Sequence, residues 1–251
     1  MIRPHEAQNQ NPDAKDRILV ALDVATAAEA REIVAELSGK VGGFKIGLQL
    51  FSSAGPDIVR EFTASGLRIF LDLKFHDIPN TVAMAGVEAA RLGVWMFNIH
   101  ALGGREMMRQ TVASVRASCE REEFGRPLII GVTVLTSADA EAMSEVGIER
   151  DLETEVIELA RLAAECGLDG VVASPNEVEA VKKAVAKDFL VVTPGIRADF
   201  ATDDDQKRVT TFRGALARGS DYVVIGRPIL GAANRSEAVK HIIGEINAAD
   251  Q

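Results

Sequence analysis

The sequence predicts an α/β protein of a single domain, a (β/α)8 TIM barrel. Three observations carry that expectation. Eight short apolar runs, mostly rich in β-branched residues, recur along the chain, each apolar at nearly every position, which is the pattern of strands covered on both faces. Between them lie Ala-, Glu- and Leu-rich stretches with helical spacing, most of them closed by Gly or Ser, as helix ends are. Eight strand–helix units in roughly 235 residues match the length of one barrel. The competing doubly wound sheet would carry a Gly-rich turn after its first strand, and Asp23-Val24-Ala25-Thr26 carries none.

The elements follow in chain order. ILVALDV (18–24) is the first strand, and TAAEAREIVAELSG (26–39) is the helix behind it. FKIGLQ (44–49) and RIFLDLK (68–74) are the second and third strands, and TVAMAGVEAARLG (81–93) follows as a helix. MFNIHA (96–101) and LIIGVTVL (128–135) are the fourth and fifth strands, and EVIELARLAAECG (155–167) leads to the sixth, DGVVAS (169–174). FLVVTPG (189–195), the helical TTFRGALARGS (210–220) and DYVVIG (221–226) complete the set. Residues 1–16 are polar and have no apolar segment of the signal-peptide kind, so they are expected to be a flexible tail ahead of a barrel over 17–251.

Composition narrows the function. Lys and Arg number 28 against 37 Asp and Glu, a net charge of −9, with no basic run, which argues against nucleic acid as a partner. An anionic substrate is still compatible, because a few clustered cations can invert the field within one cleft. No apolar run reaches the length of a membrane span. Cys119 and Cys166 are two isolated cysteines, read as structural thiols of a reducing, cytoplasmic setting.

In such a barrel, chemistry belongs at the C-terminal ends of the strands. Those ends carry Asp23, Lys45, Asp72-Leu73-Lys74-Phe75-His76-Asp77, Asn98-Ile99-His100, Thr136, Ser174-Pro175-Asn176, Arg197 and Gly226-Arg227-Pro228. Asp72 and Lys74 are two residues apart, so strand alternation puts both on one face, with Leu71 and Leu73 on the other. A buried ion pair is expensive to desolvate. Four charges, Lys45, Asp72, Lys74 and Asp77, converging on a barrel mouth point to a catalytic network, with a structural salt bridge as the alternative. Gly226 lets the backbone approach a ligand, and Arg227 supplies bidentate recognition of a phosphate, with a plain strand-to-helix turn as the alternative. The polar segment 197–208 is long for its place and reads as a lid, and Asp203-Asp204-Asp205 reads as solvated loop. His5, His76, His100 and His241 have no metal-ligand spacing. His76 and His100 fall near the mouth, in packing or supporting positions.

The run DLKFHDIPNT (72–81), with ALDV, FKIG, VTVLTS, TPGIR, DQKR and VIGRP in that order, resembles the orotidine 5′-phosphate decarboxylase family over residues 17–245. The resemblance implies a homodimeric, cofactor-free and metal-free lyase of UMP biosynthesis. Lys74 would protonate C6 of the pyrimidine as CO2 leaves, Asp72 would stand beside the substrate carboxylate, and Lys45 would hold the network and contact ribose. Asp23 would also bind ribose, and Thr136 would meet the pyrimidine ring. Asp77 and Thr81 would reach into the neighbouring subunit's site. Gln206, Gly226 and Arg227 would grip the phosphate, with Arg197 at the base of the lid. Ala198-Asp199-Phe200 departs from the Pro- and Gly-containing stretch frequent in the family. Two other readings stay open: a related sugar-phosphate decarboxylase or aldolase, some of which need Mg²⁺, and an inactive barrel that binds nucleotides or proteins.

Overall fold

The computed structural model describes residues 13–195 and 212–247. A 3-10 turn, Ala14–Arg17, leads into β1 (Ile18–Ala21), β2 (Gly43–Gly47), β3 (Ile69–Phe75), β4 (Met96–His100), β5 (Leu128–Val132), β6 (Gly170–Val172), β7 (Leu190–Thr193) and β8 (Tyr222–Ile225). All are parallel and close into a barrel in chain order. Ile18, Leu19 and Val20 pair with Val223, Val224 and Ile225 to seal it. The described helices are α1 (Ala27–Leu37), α2 (Leu48–Ala54), α3 (Asp57–Ala64), α4 (Pro79–Arg91), α5 (Gly104–Glu122), α6 (Ala140–Glu145), α7 (Leu152–Glu165), α8 (Val178–Ala184), α9 (Phe212–Ala217), α10 (Arg227–Leu230) and α11 (Arg235–Asn247). Every expected strand is present. Residues 1–12 of the expected tail, together with Arg197, Gln206 and the 197–208 segment, lie outside the described residues.

Local signals explain the helix starts. Thr26 accepts the Glu29 N–H at 3.2 Å and Asp151 accepts the Thr154 N–H at 3.0 Å, each satisfying a donor that a helix N-terminus leaves open. α4 begins at Pro79, whose missing N–H is no loss at that position. The longest described helix, α5, is one of several that the sequence pattern hides. Its buried stripe mixes Met107, Met108, Val112 and Val115 with Thr111, Ser118 and Cys119, so small polar side chains dilute the apolar period.

Two apolar layers result from strand alternation. Outward residues such as Val20, Ile46, Leu71, Phe97, Ile129 and Val191 pack against the helices. Inward residues Leu19, Ala21, Phe70, Met96, Leu128, Ile130, Val132, Val172, Leu190, Val192 and Val224 fill the lumen. The N-terminal end of the lumen is closed by Trp95 and Tyr222, edge to face at 5.1 Å, with the Arg68 guanidinium 5.5 Å from the Trp95 ring. One step further along the inward rows, the side chains turn polar: Ala21 is followed by Asp23, Phe70 by Asp72, and Met96 by Asn98. The apolar plug is therefore the floor on which the charged groups stand.

Two aspartates at the opposite end pin neighbouring strands in the same way. Asp169 accepts the Ile129 N–H at 2.8 Å and holds Arg126 in a two-pronged pair at 2.6 and 3.1 Å. Asp221 accepts the Val191 N–H and the Lys182 ammonium, both at 2.7 Å. Each serves a strand N–H that has no ladder partner at that edge. Asp169→Ala should therefore lower stability by about 2–3 kcal/mol, since an unsatisfied donor and an unpaired guanidinium are left behind. The check is a urea titration, in which the midpoint should fall without a change in slope.

Candidate active site

The mouth of the barrel is built on three adjacent strands. Asp72 is buried on β3, Lys45 on β2 and Asn98 on β4. Lys74 Nζ donates to Asp72 Oδ1 at 2.6 Å. Lys45 Nζ lies 3.3 Å from Asp72 Oδ2 and donates to Asp23 Oδ1 at 3.0 Å. The expected cluster of Lys45, Asp72 and Lys74 is thus brought together, with Asp23 joining it from just past β1. Gly47 makes room: a Cβ there would stand 3.0 Å from Lys45 Nζ and 3.4 Å from Asp23 Oδ1.

The route by which Lys74 arrives differs from simple alternation. Leu71 pairs with Phe97 and Phe75 with Ile99, so Asp72, Leu73 and Lys74 stand opposite Asn98 alone. Such a bulge re-aims side chains and interrupts the ladder. Lys74 takes up the excess in a left-handed conformation, φ 52°, which costs a non-glycine residue about 1–3 kcal/mol. Its main-chain N–H, deprived of a strand partner, donates to Asn98 Oδ1 at 2.8 Å. Asn98 Nδ2 in turn donates to Asp72 Oδ1 at 2.7 Å. Asn98 is the buried member of this network that the sequence left without a role. Its signal was an amide two residues past Met96 on the inward row of β4, between that apolar side chain and His100.

The electrostatics follow from burial. Desolvation pulls the Lys45 ammonium down, but Asp72 and Asp23 outweigh it and raise its pKa above the ordinary 10.5. Desolvation pushes the Asp72 carboxyl up, and Lys45, Lys74 and Asn98 reverse this to hold it below its ordinary 3.8. Both groups are therefore ionised at neutral pH. Two ammoniums, Lys45 and Lys74, face two carboxylates, Asp23 and Asp72, and Lys74, the more exposed of the two lysines, keeps donor capacity for an anion or a basic carbon. His100 is pushed down, first by burial and then by His76 and Lys74, which favours the neutral ring. The His76 and His100 rings lie 5.2 Å apart beside the mouth.

The remaining expected residues divide. Gly226 caps α10 and Arg227 opens it. A Cβ on Gly226 would meet only Ala21 Cβ at 3.5 Å and Asp23 Oδ2 at 3.6 Å, so this glycine relieves no clash and leaves open space over Asp23. Thr136 sits half-buried in the turn after β5. Asp77 and Thr81 are exposed, and Asp77 Oδ1 accepts the Ile78 N–H at 2.6 Å. Among the described residues, the ion pairs of Lys45 and Lys74 go to Asp23 and Asp72, not to Asp77. No group of metal-binding side chains forms among the described residues, and no described helix is long and apolar enough to cross a membrane. Cys119 and Cys166 are buried free thiols, each pushed up first by burial.

Residues 16–242 match the orotidine 5′-phosphate decarboxylase / HUMPS family. A protein of Syntrophotalea carbinolica named orotidine 5′-phosphate decarboxylase is 51% identical over 237 residues, covering 94% of this chain and 97% of its own. One of the same name from Syntrophomonas wolfei is 50% identical, covering 93% of this chain and 98% of its own. The crystal structure of orotidine 5′-phosphate decarboxylase from Lactobacillus acidophilus superposes with a TM-score of 0.81 at 35% identity, covering 92% of this chain and 98% of its own.

The depressed Asp72 pKa has a definite stability signature. Its contribution is present above the unfolded-state value, near 3.8, and is lost as pH falls through the lower folded-state value. That of Lys45 is present below 10.5 and is lost as pH rises through the higher folded-state value. The stability difference between the wild type and Asp72→Asn should therefore be greatest above about pH 5 and shrink below about pH 3. Urea midpoints at the two ends of that range measure it.

Proposed function

The chain belongs to the orotidine 5′-phosphate decarboxylase / HUMPS family, and from that premise we propose that it decarboxylates orotidine 5′-phosphate to UMP and CO2 in pyrimidine biosynthesis. The observation that carries this reading is the Lys45–Asp72–Lys74 cluster, with Lys74 Nζ 2.6 Å from Asp72 Oδ1 at the open end of the lumen. Relatives that span nearly the whole chain at about half identity share one name, which favours this member of the family over its sugar-phosphate branch.

Loss of CO2 from C6 leaves an electron pair in the plane of the ring, with no adjacent carbonyl to delocalise it. A fixed cation beside C6 stabilises that pair, and preorganised electrostatics of this kind is usually the largest catalytic contribution. In this reading the C6–carboxylate bond breaks, its electrons stay on C6, and a proton passes from Lys74 Nζ to C6. Asp72 holds the ammonium in place without needing to move. It also stands next to the substrate carboxylate, where two like charges about 4 Å apart repel by about 4 kcal/mol at an effective dielectric of 20. Departure of CO2 relieves that repulsion. The chain's own ammonium supplies the charge, so the reading calls for no cofactor or metal. Lys45 and Asp23 contact ribose, Thr136 meets the pyrimidine, and Arg227 with Gly226 takes the phosphate. Gln206 and Arg197, from outside the described residues, complete the grip. Binding energy gained at the remote phosphate lowers the chemical barrier. The unpaired thiols Cys119 and Cys166 fit a cytoplasmic setting.

The site is completed by a second copy of the chain. Asp77 and Thr81 sit exposed at the start of α4, and the Asp77 carboxylate accepts the neighbouring Ile78 N–H. Ile78 and Met84 on the same segment, and Leu102 in the turn after β4, are exposed large apolar residues at 67%, 46% and 40%. A two-fold dimer, the commonest assembly, would cover them and bring each Asp77 to the partner's lysines.

Two measurements test this. With orotidine 5′-phosphate and a chelator present, the wild type should turn over, followed by loss of absorbance. Lys74→Ala should lower kcat by at least about 10⁴-fold while remaining folded, because proton donation and charge stabilisation are lost together. A folded variant keeping a tenth of wild-type kcat would rule out the assignment. Lys74→Ala and Asp77→Ala, each nearly inactive alone, should recover roughly a quarter of wild-type activity on co-refolding, since half the dimers are mixed and half their sites intact. Heterodimers seen by native mass spectrometry without regained activity would place Asp77 in its own chain's site.

A further inference from the structure

We propose that Asn98 is a positioning residue for the reaction, the side chain that holds Lys74 and Asp72 in working register; this rests on the reading of Lys74 as proton donor. Asn98 is fully buried, at 0% exposure, so it acts through its neighbours and not on substrate. Its two hydrogen bonds admit only one amide orientation. The Lys74 main-chain N–H can only donate, and the ionised Asp72 carboxylate can only accept. Oδ1 therefore faces Lys74 at 2.8 Å and Nδ2 faces Asp72 at 2.7 Å.

Both bonds answer a need created by the bulge. Between the pairs Leu71–Phe97 and Phe75–Ile99, three residues of β3 stand opposite one residue of β4. The ladder offers no main-chain carbonyl there, and Asn98 Oδ1 stands in for it. This fixes the left-handed backbone of Lys74, φ 52°, and with it the direction of the Lys74 side chain. The second bond lands on Asp72 Oδ1, the oxygen that also receives Lys74 Nζ at 2.6 Å, while Lys45 faces Oδ2 at 3.3 Å. The amide thereby helps to orient the carboxylate that has Oδ1 toward Lys74 and Oδ2 toward Lys45.

The ionisable groups facing this amide are Asp72 and Lys74 from β3. Beyond them lie Lys45 on β2, Asp23 past β1, and His100 with His76 on the other side. On β5 its paired neighbour is the apolar Ile130. An aspartate placed at position 98 would thus share its surroundings with one buried carboxylate. Ionised, it repels Asp72 and has no donor for it. Protonated, its O–H donates to Asp72 and its carbonyl accepts from Lys74, restoring the wild-type pattern.

The experiment measures kcat, KM and UMP affinity for full-length wild type, Asn98→Ala and Asn98→Asp between pH 5 and 9, with folding followed by circular dichroism. Asn98→Ala should lose about 10²-fold in kcat, the cost of a misplaced reacting group, with KM and UMP affinity within about threefold. Asn98→Asp should show kcat falling as pH rises through an ionisation that the wild type lacks, since two neighbouring carboxylates share a proton. A packing role alone would lower stability and give a profile parallel to wild type. Near-wild-type kcat in folded Asn98→Ala, a parallel profile in Asn98→Asp, or failure of both variants to fold would each overturn the proposal. If Asn98→Ala alone fails to fold, Asn98→Asp decides. Active Lys74→Ala would instead defeat the functional reading, whereas inactive Lys74→Ala beside active Asn98→Ala would defeat only this inference.

Discussion

The Asp72 carboxylate is the constraint around which the mouth of this barrel is organised. It lies almost fully out of water, where an isolated charge would neutralise itself. It remains ionised because Lys45 and Lys74 approach its two oxygens and the Asn98 amide adds a neutral donor. Each neighbour depends on it in return. Lys45 is itself buried and would be an uncompensated cation without the two carboxylates beside it. Asp23 and Asp72 together balance the two cations, and Lys74 is the more exposed of them.

That arrangement requires backbone that an ordinary strand does not supply. β3 must deliver Asp72 and Lys74 to one place while β4 contributes a single residue opposite. The extra length is absorbed by a left-handed lysine, a conformation that survives only where its surroundings over-determine it. Rigidity below makes this possible. The lumen beneath the charges is filled with close-packed apolar side chains and plugged by Trp95, Tyr222 and Arg68. Strain is thus concentrated at the site, and the framework that tolerates it is the apolar barrel.

The outer surface of the same segments carries a second kind of incompleteness. Asp77 and Thr81 stand at the head of α4, the helix that follows the strained strand, among exposed Ile78, Met84 and Leu102. A single turn of chain therefore links the buried ion cluster to the face that would meet a second subunit. In the proposed dimer, a shift in how two copies pack would be felt within a few residues of Lys74.

The fold was legible in the amino-acid sequence because parallel strands buried on both faces must be apolar at nearly every position, and eight such runs with helices between them have one economical closure. The positions of Asp23, Lys45, Asp72 and Lys74 were legible for a related reason: charges toward the C-terminal ends of otherwise apolar strands belong at the mouth. Helix α5 was less so, since Thr, Ser and Cys interrupt its buried stripe. What only the tertiary structure decided is how the charges meet. Alternation by two predicts that Asp72 and Lys74 share a face, yet it contains no bulge and no left-handed residue, because register belongs to the pair of strands and not to either one. The role of Asn98 was hidden for the same reason. An asparagine two residues from a histidine says nothing locally, and its meaning comes from β3, more than twenty residues earlier, being two residues too long for β4 at that point.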